Sequence, residues 1–502
     1  MATAKYDVIV VGAGSAGAVL ASRLSQDAAR TVLLLEAGPN YPPAGYPPSI
    51  TDADLLGTST GYDWGYRSEP GFIGHPVDAY RGKVVGGSSA VNGAVFVRAL
   101  PSDYARWTAA GLEGWSFADL LPRYRALESF DGDGDDAWHG RSGPMPVHQM
   151  HRDELTGVQR AFMDSALALG IPACIDFNGP TPGGVGPYPM NRVKDARVNV
   201  GMAYLTEDVR ARPNLTIRGD VLVDVVLIEG GRATGVRLGD GEEIRAGEVV
   251  LSAGTYGSAA ILLRSGIGPA ADLTALGIDV VVDLPVGQTL YDHPFYYNTY
   301  AAHPDRIGDV TPVIAAKVWT ASTHAEPGEL DLHITATHLF DPSWSPTGAG
   351  FLLAVALVRP TSKGTLTLVD RDPAHAPRID LNMLAEPQDR ARLLEGVRLA
   401  RRIGATAPLS EIIDHELAPG TTATSDADIE ASMLATLDTY HHPLGTARMG
   451  ADDDPTAVTD SLGAVRGLRG LRVVDASILP DSPCAAIDPA VISAAEHIAA
   501  RL

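Results

Sequence analysis

Residues 6–11 carry Val8, Ile9, Val10 and Val11 in one short β-branched run, the pattern of a strand buried on both faces. The run stops at Gly12, and Gly14 and Gly17 follow at spacings of two and three. Residues 18–24 then place Val19, Leu20 and Leu24 on one helical face, and residues 31–35 form a second apolar run closed by Glu36. The pattern predicts a strand, a glycine turn, a helix, a second strand and an acid, which is a dinucleotide-binding unit. Gly12 allows the tight turn, Gly14 lets a pyrophosphate approach the backbone, and Gly17 lets helix and strand pack closely. The helix N-terminus offers unpaired N–H groups to phosphate, and Glu36 stands where a carboxylate accepts hydrogen bonds from ribose hydroxyls.

Further on, residues 214–218, 221–228 and 248–251 read as strands. Between about 292 and 419, runs at 313–319, 330–337 and 350–358 alternate polar and apolar positions, as in an antiparallel sheet with one face solvated or lining a cavity. Residues 387–403 have helical amphipathic spacing, 471–475 form a last strand, and about 490–502 a final helix. The expected class is α/β: a Rossmann-like nucleotide-binding domain with an inserted α+β substrate domain built on an antiparallel sheet. The expected boundaries are 1–150, 190–290 and 420–502 for the discontinuous nucleotide domain, and 151–189 and 291–419 for the substrate domain.

Composition narrows the partners. The chain has 502 residues, 45% of them hydrophobic and 20% charged, an ordinary globular balance. A formal charge of −22 argues against non-specific nucleic-acid binding and against docking on anionic membrane. Two cysteines, Cys174 and Cys484, make neither a disulfide framework nor a thiolate metal site. No apolar run reaches the length of a membrane span, and the first residues lead into a strand without a signal-peptide pattern; the expectation is a cytoplasmic protein. The oligomeric state is not legible.

Two more clusters carry chemistry. Residues 81–93 hold Gly86, Gly87, Ser88, Ser89, Asn92 and Gly93, in which glycines admit a flat ligand and Ser and Asn supply donors. Residues 254–268 run from Gly254 through Ser258 to Gly266 and Gly268, a turn feeding a helix. Each alone reads as structure. Together they resemble the two signatures of the glucose–methanol–choline (GMC) oxidoreductases, FAD-dependent alcohol oxidases and dehydrogenases. The one departure is Ala259, where Pro or Ser is usual. Residues 286–294, 359–364, 379–382 and 445–450 extend the resemblance over essentially the whole chain.

What the resemblance implies can be placed on this sequence. Gly12, Gly14, Ser15, Ala16, Gly17, Glu36 and Ala37 are expected to hold the ADP half of FAD. Gly86, Ser88, Asn92, Gly93, Ala94 and Val95 are expected along the pyrophosphate and flavin. Val223 is expected at the adenine, with Asp475, Ala476 and Val491 also on the cofactor. Val91 occupies the position where some members link the flavin to a histidine, so the FAD is expected to be non-covalent. His442, directly before the Pro-x-Gly-Thr turn at 443–446, resembles the catalytic histidine. A base is needed because an alcohol gives up hydride more easily as its hydroxyl loses a proton. His441 is expected to line the substrate pocket.

The family's second catalytic residue, His or Asn near the C-terminus, is missing. An ungapped count puts its position at Ala486, whereas a two-residue deletion aligns Asp488 with it. Asp488 could then accept a hydrogen bond from the substrate or pair with a substrate ammonium; a helix N-cap is the alternative reading. His333 and His338 fall on opposite faces of one strand, and His333 is expected to face the substrate cavity. The acids at 131–136 resemble the start of a calcium loop but lack its sixth and twelfth residues, so an acidic turn is expected, and no metal. The expected reaction is oxidation of a primary alcohol or sugar-like hydroxyl, with an amino alcohol or aminosugar as a sub-hypothesis and oxygen or another acceptor reoxidising the flavin. The alternatives are an FAD-containing lyase using His442 for proton transfer alone, a catalytically decayed flavin protein and, least in keeping with the clusters at 81–93 and 254–268, a nicotinamide dehydrogenase.

Overall fold

The computed structural model describes residues 5–502; the chain start at 1–4 lies outside the described residues. Two seven-stranded sheets organise it. In the first, Lys5–Val11 lies between Val32–Leu35 and Glu243–Leu251, all parallel, with Leu215–Arg218 parallel beyond Val32–Leu35. Val223–Glu229 and Arg232–Leu238 continue the sheet as an antiparallel meander, and Leu471–Val473 pairs with Glu243–Leu251 in parallel. Ile9, Val10, Leu33 and Leu34 are wholly buried, which is why their runs are continuously apolar.

Register decides where this sheet does chemistry. Val11 is level with Leu35 and with Leu251, and Leu251 is level with Val473. Four parallel strands therefore end on one row, and Gly12, Glu36 and Ser252 directly after three of them and Asp475 two residues after the fourth all face the same cavity. Ligands of doubly wound sheets sit in this crevice beyond the strand ends.

The second sheet is antiparallel, in the order Ile413–Ala418, Pro294–Ala302, Gly350–Leu357, Leu332–Thr337, Ile314–Thr320, Gly184–Pro187. Asp438–Thr439 adds a short strand on Pro294–Ala302, although it falls in the 420–502 stretch expected in the other domain. Every residue of Leu332–Thr337 and Gly350–Leu357 is buried. The expected alternation thus reflects no solvated face. Helices Pro387–Gly404 and Gly157–Ala168 cover one side, and Tyr297, Thr335 and Ala354 on the other look into the cavity.

The helix expected at 387–403 runs Pro387–Gly404. The final helix starts at Ile487, three residues before the expected 490, because Pro489 sits in its first turn, where no backbone N–H is needed. It packs on Ser15–Leu24, with Arg23 bridging to Glu496 at 2.7 Å and Tyr204 donating to the same carboxylate.

Candidate active site

The strand ends of the first sheet and the inner face of the second enclose a cavity of about 720 Å³. One end is built by the glycine turn. Gly12 has φ +94°, and a Cβ there would stand 2.4 Å from the Ser252 carbonyl oxygen; a Cβ on Gly17 would stand 1.8 Å from the Gly12 oxygen. The second glycine cluster abuts the first, since a Cβ on Gly87 would fall 2.6 Å from the Gly14 Cα. The wall is bare backbone because side chains do not fit.

Gly12, Gly14, Ser15, Ala16, Glu36 and Ala37 line this end, with Val223 beside them. Glu36 accepts from the Ala13 and Gly38 N–H groups at 2.8 and 2.9 Å, and burial pushes its carboxyl up to about 7. Ser88, Asn92, Gly93, Val95, Asp475, Ala476 and Val491 line the middle. Gly17, Gly86 and Ala94 stand one layer back: Gly17 against the turn, Gly86 donating to the Ala13 oxygen at 2.8 Å, Ala94 donating to Asn92 Oδ1 at 2.9 Å. The donor set fits a dinucleotide: a helix N-terminus, a serine, a flat glycine wall and a carboxylate at the end of the second strand.

The far end is built around the segment 438–442. Asp292 is its anchor. Its Oδ1 accepts from the His442 N–H at 2.8 Å and its Oδ2 from the Thr439 hydroxyl at 2.7 Å, while burial pushes the carboxyl up to about 6. His442 lines the cavity with the Tyr440 ring 4.4 Å away. Its Nδ1 is 2.9 Å from Nδ1 of His293, and His293 Nε2 is 2.7 Å from the Ser482 hydroxyl. Among the described residues nothing bonds His442 Nε2. Burial, aided by His293 and Arg81, holds the His442 imidazole well below the ordinary range, and burial takes His293 down to about 3, so both rings are neutral.

His441 also lines the cavity, at φ +61°, with its ring against Tyr80 and its carbonyl accepting from Arg81. His333 does not. It is on the cavity side of its strand, but the Tyr440 ring meets it edge-on at 6.3 Å and it lies behind the wall, beside the Cys484 backbone. His338 points the other way, to the Thr156 hydroxyl at 2.9 Å.

Asp488 keeps different company from that expected. It sits inside the first helical turn instead of capping it, and its carboxyl accepts from Ser15 and, at 3.4 Å, from Asn92. Both carboxylate oxygens are therefore engaged on the glycine-cluster side. Ala486, the ungapped position, lines the cavity and has no polar side-chain atom. The imidazole that pairs with His442 is His293, which lies in the stretch 286–294 but carries no local signal of this contact. Asp131 and Asp136 are engaged by His148 and Arg141, as in an acidic turn.

Comparison with known proteins supplies the identity. Family models described as GMC oxidoreductase match residues 6–295 and 360–495. An oxygen-dependent choline dehydrogenase of Photobacterium profundum is 34% identical over 98% of this chain and 92% of its own. A 5-(hydroxymethyl)furfural oxidase of Methylovorus sp. is 35% identical over 98% of each. The crystal structure of pyridoxine 4-oxidase from Mesorbium loti superposes with a TM-score of 0.90 at 33% identity, covering 99% of both chains. Among the described residues no helix is long and apolar enough to cross a membrane. The chain belongs to the GMC oxidoreductase family and is an FAD-dependent alcohol oxidoreductase.

Proposed function

We propose that the chain oxidises a primary alcohol or sugar-like hydroxyl to the aldehyde or ketone at the 442 end of the cavity, with non-covalently held FAD. Bound FAD supplies the hydride acceptor, to be reoxidised by oxygen or another acceptor. Gly12, Gly14, Ser15 and Glu36 hold its ADP half and Ser88, Asn92 and Gly93 its remainder, while Val91 offers no nucleophile for a covalent link.

The observation that carries this reading is the free Nε2 of His442 on the cavity wall. Two neutral imidazoles that meet through their Nδ1 atoms must share one proton. If His442 Nδ1–H donates to His293, then His293 Nε2–H donates to Ser482, and the Ser482 hydroxyl donates onward to the Val358 carbonyl at 3.5 Å. The reverse direction leaves that carbonyl unserved. The first arrangement also leaves His442 Nε2 as a lone pair facing the cavity, which is what a base for the substrate hydroxyl requires. His293 thus acts through His442 as a positioning residue, and Asp488 orients Ser15 and Asn92.

An alcohol panel on purified protein, with parallel oxygen-consumption and dye-reduction readouts, tests the reading. Turnover of at least one primary alcohol, lost about 10²–10⁴-fold in His442→Asn, is expected. Equal rates in the variant would overturn the base assignment.

A further inference from the structure

Four carboxylates line the cavity, and three are satisfied by the protein. Glu36 accepts two backbone N–H groups, Asp475 accepts from Ser258, Gly254 and Ser477, and Asp488 accepts from Ser15 and Asn92. The fourth, Asp438, is different. Its Oδ1 accepts only the N–H of its own neighbour Thr439 at 2.8 Å, and among the described residues its Oδ2 has no hydrogen-bond partner and no salt bridge reaches it, the His75 imidazole being the one basic group near enough to favour its charge. The arginine at this end, Arg81, is turned to the carbonyls of Tyr80 and His441.

A largely buried carboxylate without an ion-pair partner is costly to keep ionised, and burial pushes Asp438 up, to about 6, with Asp78 adding to the rise and the Thr439 N–H and His75 only partly opposing it. Its surroundings are those that favour a cation. Asp438 is in register with Phe295, whose ring stacks on Tyr440 at 4.4 Å and meets Tyr297 at 4.9 Å. Tyr80 and Tyr297 both feel its charge. Aromatic faces beside an unpaired acid attract positively charged nitrogen. Asp438 stands four residues before His442, so the two are at most roughly 14 Å apart along the chain, within reach of one small molecule.

We infer that Asp438 is the specificity residue for a cationic group on the substrate, so that the preferred alcohol carries a protonated or quaternary nitrogen; this rests on the alcohol-oxidising reading above. The carboxylate supplies the charge that the substrate needs, and the substrate supplies the partner that the protein withholds.

Isosteric pairs test it on the holoenzyme: 3-aminopropan-1-ol against butan-1-ol, and 4-(aminomethyl)benzyl alcohol against 4-ethylbenzyl alcohol. The amine of at least one pair should show a kcat/KM at least tenfold above its neutral partner. Asp438→Asn should lower kcat/KM for that amine at least tenfold more than for the partner, and Asp438→Glu should restore part of the preference. Binding of 4-ethylbenzylamine, which has no hydroxyl, measured by equilibrium dialysis, should weaken at least tenfold in Asp438→Asn. Neutral alcohols turned over as well as amines, or a preference that survives in Asp438→Asn, would overturn the Asp438 assignment and leave alcohol oxidation standing. Failure of all four alcohols to reduce the flavin would bring down the alcohol reading and this inference with it.

Discussion

At the scale of single residues, His442 is set by its neighbours. Asp292 fixes its backbone, Tyr440 its ring face and His293 its Nδ1. His293→Leu removes the acceptor for Nδ1–H and lets the ring take the other tautomer, so kcat should fall about 10–100-fold with little change in KM. His293→Asn, whose side-chain oxygen can still accept, should recover part of the loss; a Leu variant with unchanged kcat would remove the positioning role. The pH profile follows from burial. In the proposed mechanism the neutral ring is the competent base, and its proton affinity is held below the usual range, so activity should persist as pH falls through 6.5. An acid limb of kcat/KM centred at or above 6.5 would contradict this. None of the His293 geometry was readable in the chain, because the contact joins positions 149 residues apart. His442 was readable because its turn sequence is local. Asp438 escaped for the same reason as His293: its surroundings are made by cross-strand register with Phe295, not by its own neighbours.

At the scale of elements, the first strand–turn–helix was legible nearly residue by residue, since its apolar period and glycine spacing are both local. Its tolerance is narrow. Gly17→Ala places a carbon inside the Gly12 carbonyl, so helix and turn must separate, at about 1–3 kcal/mol or more. Purified Gly17→Ala should carry less FAD per chain and melt several degrees lower; full flavin content and an unchanged Tm would show that the close packing is dispensable. Other elements were passed over. Helices Phe117–Leu127 and Gly157–Ala168 begin with capping boxes, Ser116 with Asp119 and Thr156 with Gln159, a signal present in the sequence. The second sheet was harder: its inner strands are buried on both faces, so alternation said little about what covered them.

At the scale of the whole molecule, two sheets close over one cavity, and the strand-end row of the first contributes Gly12, Glu36, Ser252 and Asp475 to the wall proposed to hold the cofactor. A ligand that bridges both glycine clusters should therefore stabilise the native state by mass action, about 2.7 kcal/mol at a hundredfold excess over Kd. Protein stripped of FAD should melt a few degrees lower and regain its Tm with added FAD in a concentration-dependent way. A Tm indifferent to FAD would mean the cavity is not the cofactor site. The most direct measurement of the central claim is anaerobic mixing of holoenzyme with a substrate alcohol while absorbance near 450 nm is followed. The account predicts bleaching of the flavin in the native enzyme, slowed by two orders of magnitude or more in His442→Asn. A flavin that stays oxidised while the alcohol is consumed, or that bleaches equally fast without the imidazole, would contradict it.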